Sequence, residues 1–234
     1  MGNRWVIPDI HGCFKTFKSL VEREIGLTKE DTLYLLGDYI DRGENSKEVI
    51  DYIIHITEES YNVNYLIGNH EKYCIDAWEA DRNRLLGRSR VERDWRKHGA
   101  ANTLKSFEVN RPRKINQKYI DWMKQGKYYI ELEEYVLVHA GLNFKIINPF
   151  EDFYSMMWIR DFKVNRDKIG GKKVIHGHIP MELSMINLFL DNPNYGFIAL
   201  DNGVYYGNSN AGFGNLTAFN LDTKELLVQH NLDL

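Results

Sequence analysis

Cysteine is scarce in this chain. Cys13 and Cys74 are the only two, and they stand in unrelated contexts. That excludes a disulfide framework and makes a reducing cytoplasm the expected compartment. Long apolar runs are lacking as well. No stretch approaches the roughly 18 uninterrupted apolar residues that a membrane-spanning helix needs. The opening residues Met1-Gly2-Asn3-Arg4-Trp5-Val6 lack the apolar core of a signal peptide. Charge of one sign is also lacking. A formal net charge of -3 is too small to recruit nucleic acid or a membrane by bulk electrostatics, and neither partner is expected. Repeats, low-complexity tracts and linkers are missing. What remains is an ordinary globular composition, 43% hydrophobic and 27% charged over 234 residues. That suits one generous domain, 1–234, or one domain with a helical insertion.

The apolar pattern supplies the organisation. Residues 4–8 read as a short strand. A helix with Phe14, Phe17, Leu20, Val21 and Ile25 at helical spacing follows, closed by Gly26. Residues 32–36 read as a second strand. Residues 46–56 form a second helix, with Ser46 as its possible cap, and 63–67 a third strand. This order predicts parallel strands joined by right-handed crossovers. Residues from 71 to about 125 read as helical and more polar, an insertion beside the sheet. Segments 128–132 and 135–138 form a hairpin around Glu133-Glu134. Residues 173–175, 196–200, 204–206, 216–219 and 226–228 are strand-like, and Asn202-Gly203 signals a turn between two of them.

Five polar clusters follow the apolar runs. They are Asp9-Ile10-His11-Gly12, Gly37-Asp38-Tyr39-Ile40-Asp41-Arg42-Gly43, Gly68-Asn69-His70-Glu71, His139-Ala140-Gly141 and Gly177-His178. Asp, Asn and His are ligands for hard and borderline metal ions. Each cluster contains or abuts a glycine, so the backbone can turn where a side chain points inward. Alternation along an extended chain sends Asp9 and His11 to one side, where they can grip one ion. Asp38 has two carboxylate oxygens and can bridge two. The carboxyl ends of parallel strands share one edge, where ligand sites form. Asp9, His11, Asp38 and Asn69 reach that edge from three strands. His139 and His178, each after a further strand, complete six ligands for two divalent ions. This mixed donor set suits manganese, iron or zinc, with manganese expected to support activity in vitro.

In this order the clusters resemble the calcineurin-like metallophosphoesterases, and more narrowly the phosphoprotein phosphatase branch. That branch holds serine/threonine protein phosphatases and symmetrical diadenosine tetraphosphate hydrolases. The resemblance runs from residue 4 to about 228. It implies an α/β fold (an α+β sandwich), with central sheets flanked by helices. It implies that Asp9, His11 and Asp38 hold the first metal, and that Asp38, Asn69, His139 and His178 hold the second. His70 would be the general acid that protonates the leaving oxygen, supported by Asp41. A metal-bound hydroxide would attack phosphorus directly. Arg42 should grip phosphoryl oxygens with its fork of donors. Arg160, in Trp158-Ile159-Arg160, matches a motif that the family uses for substrate phosphate.

The implied function is hydrolysis of phosphoserine and phosphothreonine monoesters, with a phosphorylated protein or small phosphoester as partner. The alternative is symmetrical cleavage of diadenosine tetraphosphate. A purine-binding aromatic shelf, supplied by Trp158 or Trp95, would favour it. Protein phosphatases of the family carry Arg before Gly-Asn-His-Glu, and Ile67 here removes one phosphate-gripping cation. A non-catalytic phosphate-binding module would show lost ligands, and none is lost. Trp95 and the segment after it read as structural, Glu71 as capping or orienting the helix that carries His70, and His176 as either a support behind the ligands or a core histidine on the strand. His55, His98 and His230 match no motif. The Arg-rich stretch 81–97 reads as a solvated helical face, with steering of a polyphosphate or acidic phosphopeptide toward the site as the alternative.

Overall fold

The computed structural model describes residues 2–234. The first three strands form and pair in parallel as the pattern predicts. β1 (Arg4–Ile7), β2 (Thr32–Leu35) and β3 (Asn62–Tyr65) are parallel neighbours. α1 (Phe14–Ser19) runs on through a wider helical turn, Leu20–Ile25, and Gly26 ends it at a left-handed φ of 61°. α2 spans Ser46–Glu58. Ser46 does not cap it. Asn45 holds that position, and the Ser46 hydroxyl accepts instead from the Asp41 backbone N–H at 3.1 Å.

Two sheets face each other. β8 (Asn215–Asn220) returns antiparallel beside β1, and β9 (Leu226–His230) pairs antiparallel with β8, giving the order β3-β2-β1-β8-β9. The second sheet has the order β4-β5-β6-β7. β4 (Tyr129–Glu131) and β5 (Tyr135–Val138) are the expected hairpin, while β5, β6 (Lys173–His176) and β7 (Phe197–Ala199) are parallel. The two-residue period of a strand explains the layers. Val6, Tyr34 and Leu36 meet Leu137, Ile175 and Ile198 between the sheets. Trp5, Ile7, Leu33 and Leu35 point the other way, onto Phe17 and Ile50 of the helical layer. Val136, Val138 and Val174 pack outward onto Leu142 and Met156. Strands buried on both faces read as unbroken apolar runs.

Between β3 and β4 lie α3 (Asn69–Arg82), α4 (Arg90–Arg96), α5 (Ala100–Ser106) and α6 (Gln117–Lys124). Their tryptophans Trp78, Trp95 and Trp122 are buried in the same cluster as Trp5 and Ile7. α7 (Phe153–Trp158) follows β5, and α8 (Leu183–Asp191) follows β6. No helix among the described residues is long and apolar enough to cross a membrane.

One expected strand is not a strand. Residues 204–206 lie in short helical turns, Val204–Ser209. Turn chemistry overrides the β-propensity of Val and Tyr. The Asp201 carboxylate accepts from the Gly203 N–H at 2.7 Å, and Gly203 has φ 67°. The Asn202 amide donates to Met181 and Gly212 carbonyls, both at 2.8 Å.

Candidate active site

All five clusters converge. Asp9 and His11 leave β1, Asp38 to Arg42 leave β2, and Asn69 and His70 open α3 directly after β3. His139 leaves β5 and His178 leaves β6, so these two come from the second sheet rather than from the edge that delivers the others. Asp38 stands at the centre. Its Oδ2 lies 3.5 Å from His139 Nε2, 3.7 Å from His11 Nε2 and 3.8 Å from His70 Nε2. Burial works against its charge, but His139, His70 and His11 outweigh it and hold the carboxyl well below the usual range. Two groups of donors are close enough to share an ion each: His11, Asp38 and His70, and Asp38, His139 and His178. Asp9 is tied in through the His178 N–H, which donates to its carboxylate at 3.0 Å.

The donor atoms have the pattern of a metal site. His11 Nδ1 faces the Ile40 carbonyl at 2.9 Å, and His139 Nδ1 faces the Leu36 carbonyl at 3.0 Å. A carbonyl only accepts, so each Nδ1 carries the proton and each Nε2 presents a lone pair. Burial first, aided by the charge of His70 and against the opposing pull of Asp38, lowers both pKa values and favours neutral rings. The His139 lone pair meets the Asn69 side-chain oxygen at 2.9 Å. The His11 lone pair faces Asp9 and Asp38 carboxylates. His178 Nε2 is buried with no hydrogen-bond partner among the described residues. Burial, then His139, pushes the His178 pKa down to about 3. Acceptors aimed at acceptors call for cations between them, and these residues fit divalent ions.

Two glycines let the backbone approach. A Cβ on Gly68 would sit 2.1 Å from Asp38 Oδ1, and one on Gly177 2.1 Å from Asp9 Oδ1. Glu71 braces the loop from behind. Its buried carboxylate accepts from the backbone N–H groups of Gly68, Asp38 and Tyr39 at 3.0, 2.9 and 2.8 Å. It therefore does orient α3, and it also anchors the Asp38 turn.

Beside the central group lies a second constellation. His70 Nδ1 contacts Asp41 Oδ2 at 2.6 Å. Burial lowers the His70 pKa, but Asp38 and Asp41 raise it further, so the net shift is upward. Asp41 is itself held by the Trp95 indole N–H at 2.7 Å and by the Thr103 hydroxyl. Trp95 is completely buried. It cannot form a shelf for substrate, and its segment orients Asp41 besides packing the helices. Arg42 lies with its guanidinium 3.9 Å from the centre of the Tyr205 ring, and Tyr205 meets His11 edge-on at 5.1 Å. Arg160 is exposed just beyond α7, and its charge adds to burial and His139 in lowering the His178 pKa.

Three further residues at the site were not singled out from the sequence. Tyr205 belongs to the segment expected to be a strand. His98, which matches no motif, lies 6.2 Å from His70, ring to ring. Asp201, after β7, is buried with one carboxylate oxygen unpartnered, and burial raises its pKa to about 7. Leu200-Asp201-Asn202-Gly203 repeats the strand–polar–glycine grammar of the other clusters, which is the signal that marks it. His176 is a core histidine, packed between Phe162 and Phe197 at 5.3 and 5.6 Å. In the basic stretch Arg96 pairs with Glu92 at 3.0 Å and Lys97 with Asp94 at 2.7 Å, so part of its charge is met on its own helix.

A mixed two-sheet fold gathers histidines and carboxylates at the strand ends, in two groups close enough to share an ion each. The chain belongs to the calcineurin-like phosphoesterase family, whose pattern matches residues 3–232. It is 26% identical over 140 residues to a symmetrical bis(5'-nucleosyl)-tetraphosphatase of Pseudomonas putida, which covers 59% of this chain and 42% of that relative. The chain thus matches less than half the length of that relative. Among solved structures it resembles a serine/threonine phosphatase of Saccharomyces cerevisiae, with TM-score 0.61 and 15% identity over 97% of this chain and 79% of the other. It also resembles a cold-active protein-tyrosine phosphatase of a Shewanella species, with TM-score 0.61 and 12% identity over 98% and 81%. At such identities the two structures speak for the fold alone.

Proposed function

We propose that the chain hydrolyses phosphate monoesters, those of serine and threonine first, by direct attack of water on phosphorus without a covalent phosphoenzyme. Asp9, His11 and Asp38 would hold one divalent ion, and Asp38, Asn69, His139 and His178 the other. When bound, such a pair lowers the pKa of water and offsets the charge of the phosphoryl oxygens. Arg42 and Arg160 bring further positive charge to those oxygens. Stacking on Tyr205 fixes the Arg42 fork without using its N–H donors. His70 protonates the leaving oxygen. Asp41 orients its ring through Nδ1, and the charges of Asp38 and Asp41 favour the protonated ring.

The observation that carries this reading is the 2.6 Å contact between His70 and Asp41, placed beside the imidazoles that ring Asp38. The test is a paired assay with manganese: phosphate release from a phosphothreonine peptide, and cleavage of diadenosine tetraphosphate, each with wild type and His70→Asn. A peptide rate that collapses in the variant supports the reading. Activity that survives in the variant sinks the role of His70.

A second reading, symmetrical cleavage of dinucleoside polyphosphates, has specific support. The matched relative carries that name, and Trp158 does lie in an aromatic group near His70. Faster nucleotide than peptide cleavage would decide for it.

A further inference from the structure

Aromatic rings leave His70 in a continuous row. His98 meets His70 edge-on at 6.2 Å. Tyr73 stacks on His98 at 5.2 Å with only 16° between the planes. Trp158 meets Tyr73 edge-on at 4.7 Å, and Tyr154 stacks on Trp158 at 5.9 Å. Helix geometry builds the row. Tyr73 is three residues beyond His70 on α3, and Tyr154 four residues before Trp158 on α7, so each pair shares a face.

The two end rings of the row are open to solvent, while Tyr73 and Trp158 are half-buried against the core. Tyr154 is 70% exposed, and His98 is exposed as well. Its position relative to the chemistry is defined. In an in-line displacement the departing group lies on the side of the acid that protonates it, which here is the side of His70. On that side the row leads from His70 through His98 to Tyr73, one path along which the group on the leaving oxygen can lie. Cations accompany the rings. Arg160 lies near enough to Tyr73, His98 and His178 for its charge to be felt at all three. Lys97 is felt at Tyr73.

We infer that the row His98–Tyr73–Trp158–Tyr154 is a stacking subsite for a planar ring, a nucleobase, carried by the departing half of the substrate. Every base has a π-face, and aromatic side chains hold it without needing a particular edge. The neighbouring cations suit a polyphosphate between the ring and the scissile bond. The inference rests on the phosphoesterase reading and deepens its second form.

The test separates the two. Wild type, Tyr73→Leu, Tyr73→Phe and Tyr154→Ala are assayed with manganese on diadenosine tetraphosphate and on a phosphothreonine peptide free of aromatic residues. The same row changes are made in His70→Asn, and binding of diadenosine tetraphosphate is measured by calorimetry. Loss of one stacking ring should raise the KM for the dinucleotide about tenfold. It should lower the preference for dinucleotide over peptide by a similar factor. Tyr73→Phe, which keeps the ring, should retain both. The Kd in the His70→Asn background should rise about tenfold in Tyr73→Leu. Unchanged KM, preference and Kd, or no binding at all, would overturn the subsite while leaving hydrolysis intact. Binding that depends on Tyr73 without turnover of either substrate would keep the subsite and reject the phosphoesterase reading.

Discussion

At the residue scale the site is defined by backbone in an uncommon conformation. His11, Asp38, Asp41, Arg42 and His178 all have positive φ, between 48° and 71°. Each such residue costs about 1–3 kcal/mol and persists only where its surroundings over-determine it. The backbone donors that converge on Glu71 are part of that determination. His70→Asn should lower kcat by roughly 10²–10⁴-fold, the span of general acid catalysis, in steady-state assays with manganese. Asp41→Asn should act through the same ring. Asp38 and Asp41 together raise the His70 pKa, and a general acid at this place would work only while protonated. Removing one of the charges lowers that pKa, so the alkaline limb of the rate profile should move to lower pH. An unmoved limb would show that His70 is not the group being titrated. The side chains of this dyad were readable from the sequence, but their support was not. Trp95 lies 54 positions from Asp41 and reaches it only because α4 packs against the β2 exit.

At the element scale, strands deliver the chemistry and glycines allow the approach. Gly177→Ala would set a methyl 2.1 Å from Asp9 Oδ1. It should weaken manganese binding by about ten- to a hundred-fold in calorimetric titration, the usual effect of disturbing a ligand's support. β6 carries a second prediction. Burial lowers His176 to about 4 from its ordinary 6.5. The unfolded chain therefore takes up the proton first, and stability present above pH 6.5 is lost as the pH falls toward 4. Between pH 7 and 5 this single ring should account for about 2 kcal/mol of lost stability in urea unfolding, and His176→Phe should remove that loss. Element types were legible where period and propensity agreed, as in α2 and the β4–β5 hairpin. They were not at 204–206, where Asp201 and Asn202 side chains bond to the backbone locally. Propensity scales do not contain that competition.

At the scale of the molecule, two sheets bring Asp9, Asp38 and Asp201 into one buried space. The charges of Asp38 and Asp201 add to burial in raising the Asp9 pKa. Bound divalent ions would relieve that repulsion and stabilise the folded state alone. Chelation should therefore lower Tm by roughly 5–15 °C, with recovery on adding manganese, as read by calorimetry. A Tm indifferent to chelator and metal would count against the ion sites. The sequence by itself determined most strand positions along the chain, the family, and which residue types stand at each strand exit, because ligand chemistry and turn chemistry are both local in the chain. Only the tertiary structure decided that the donors come from two facing sheets. It alone turned Trp95 inward onto Asp41, set Tyr205 under Arg42, and laid Tyr73 and Trp158 side by side. Those contacts join segments tens of residues apart, and packing, not local pattern, brings them together.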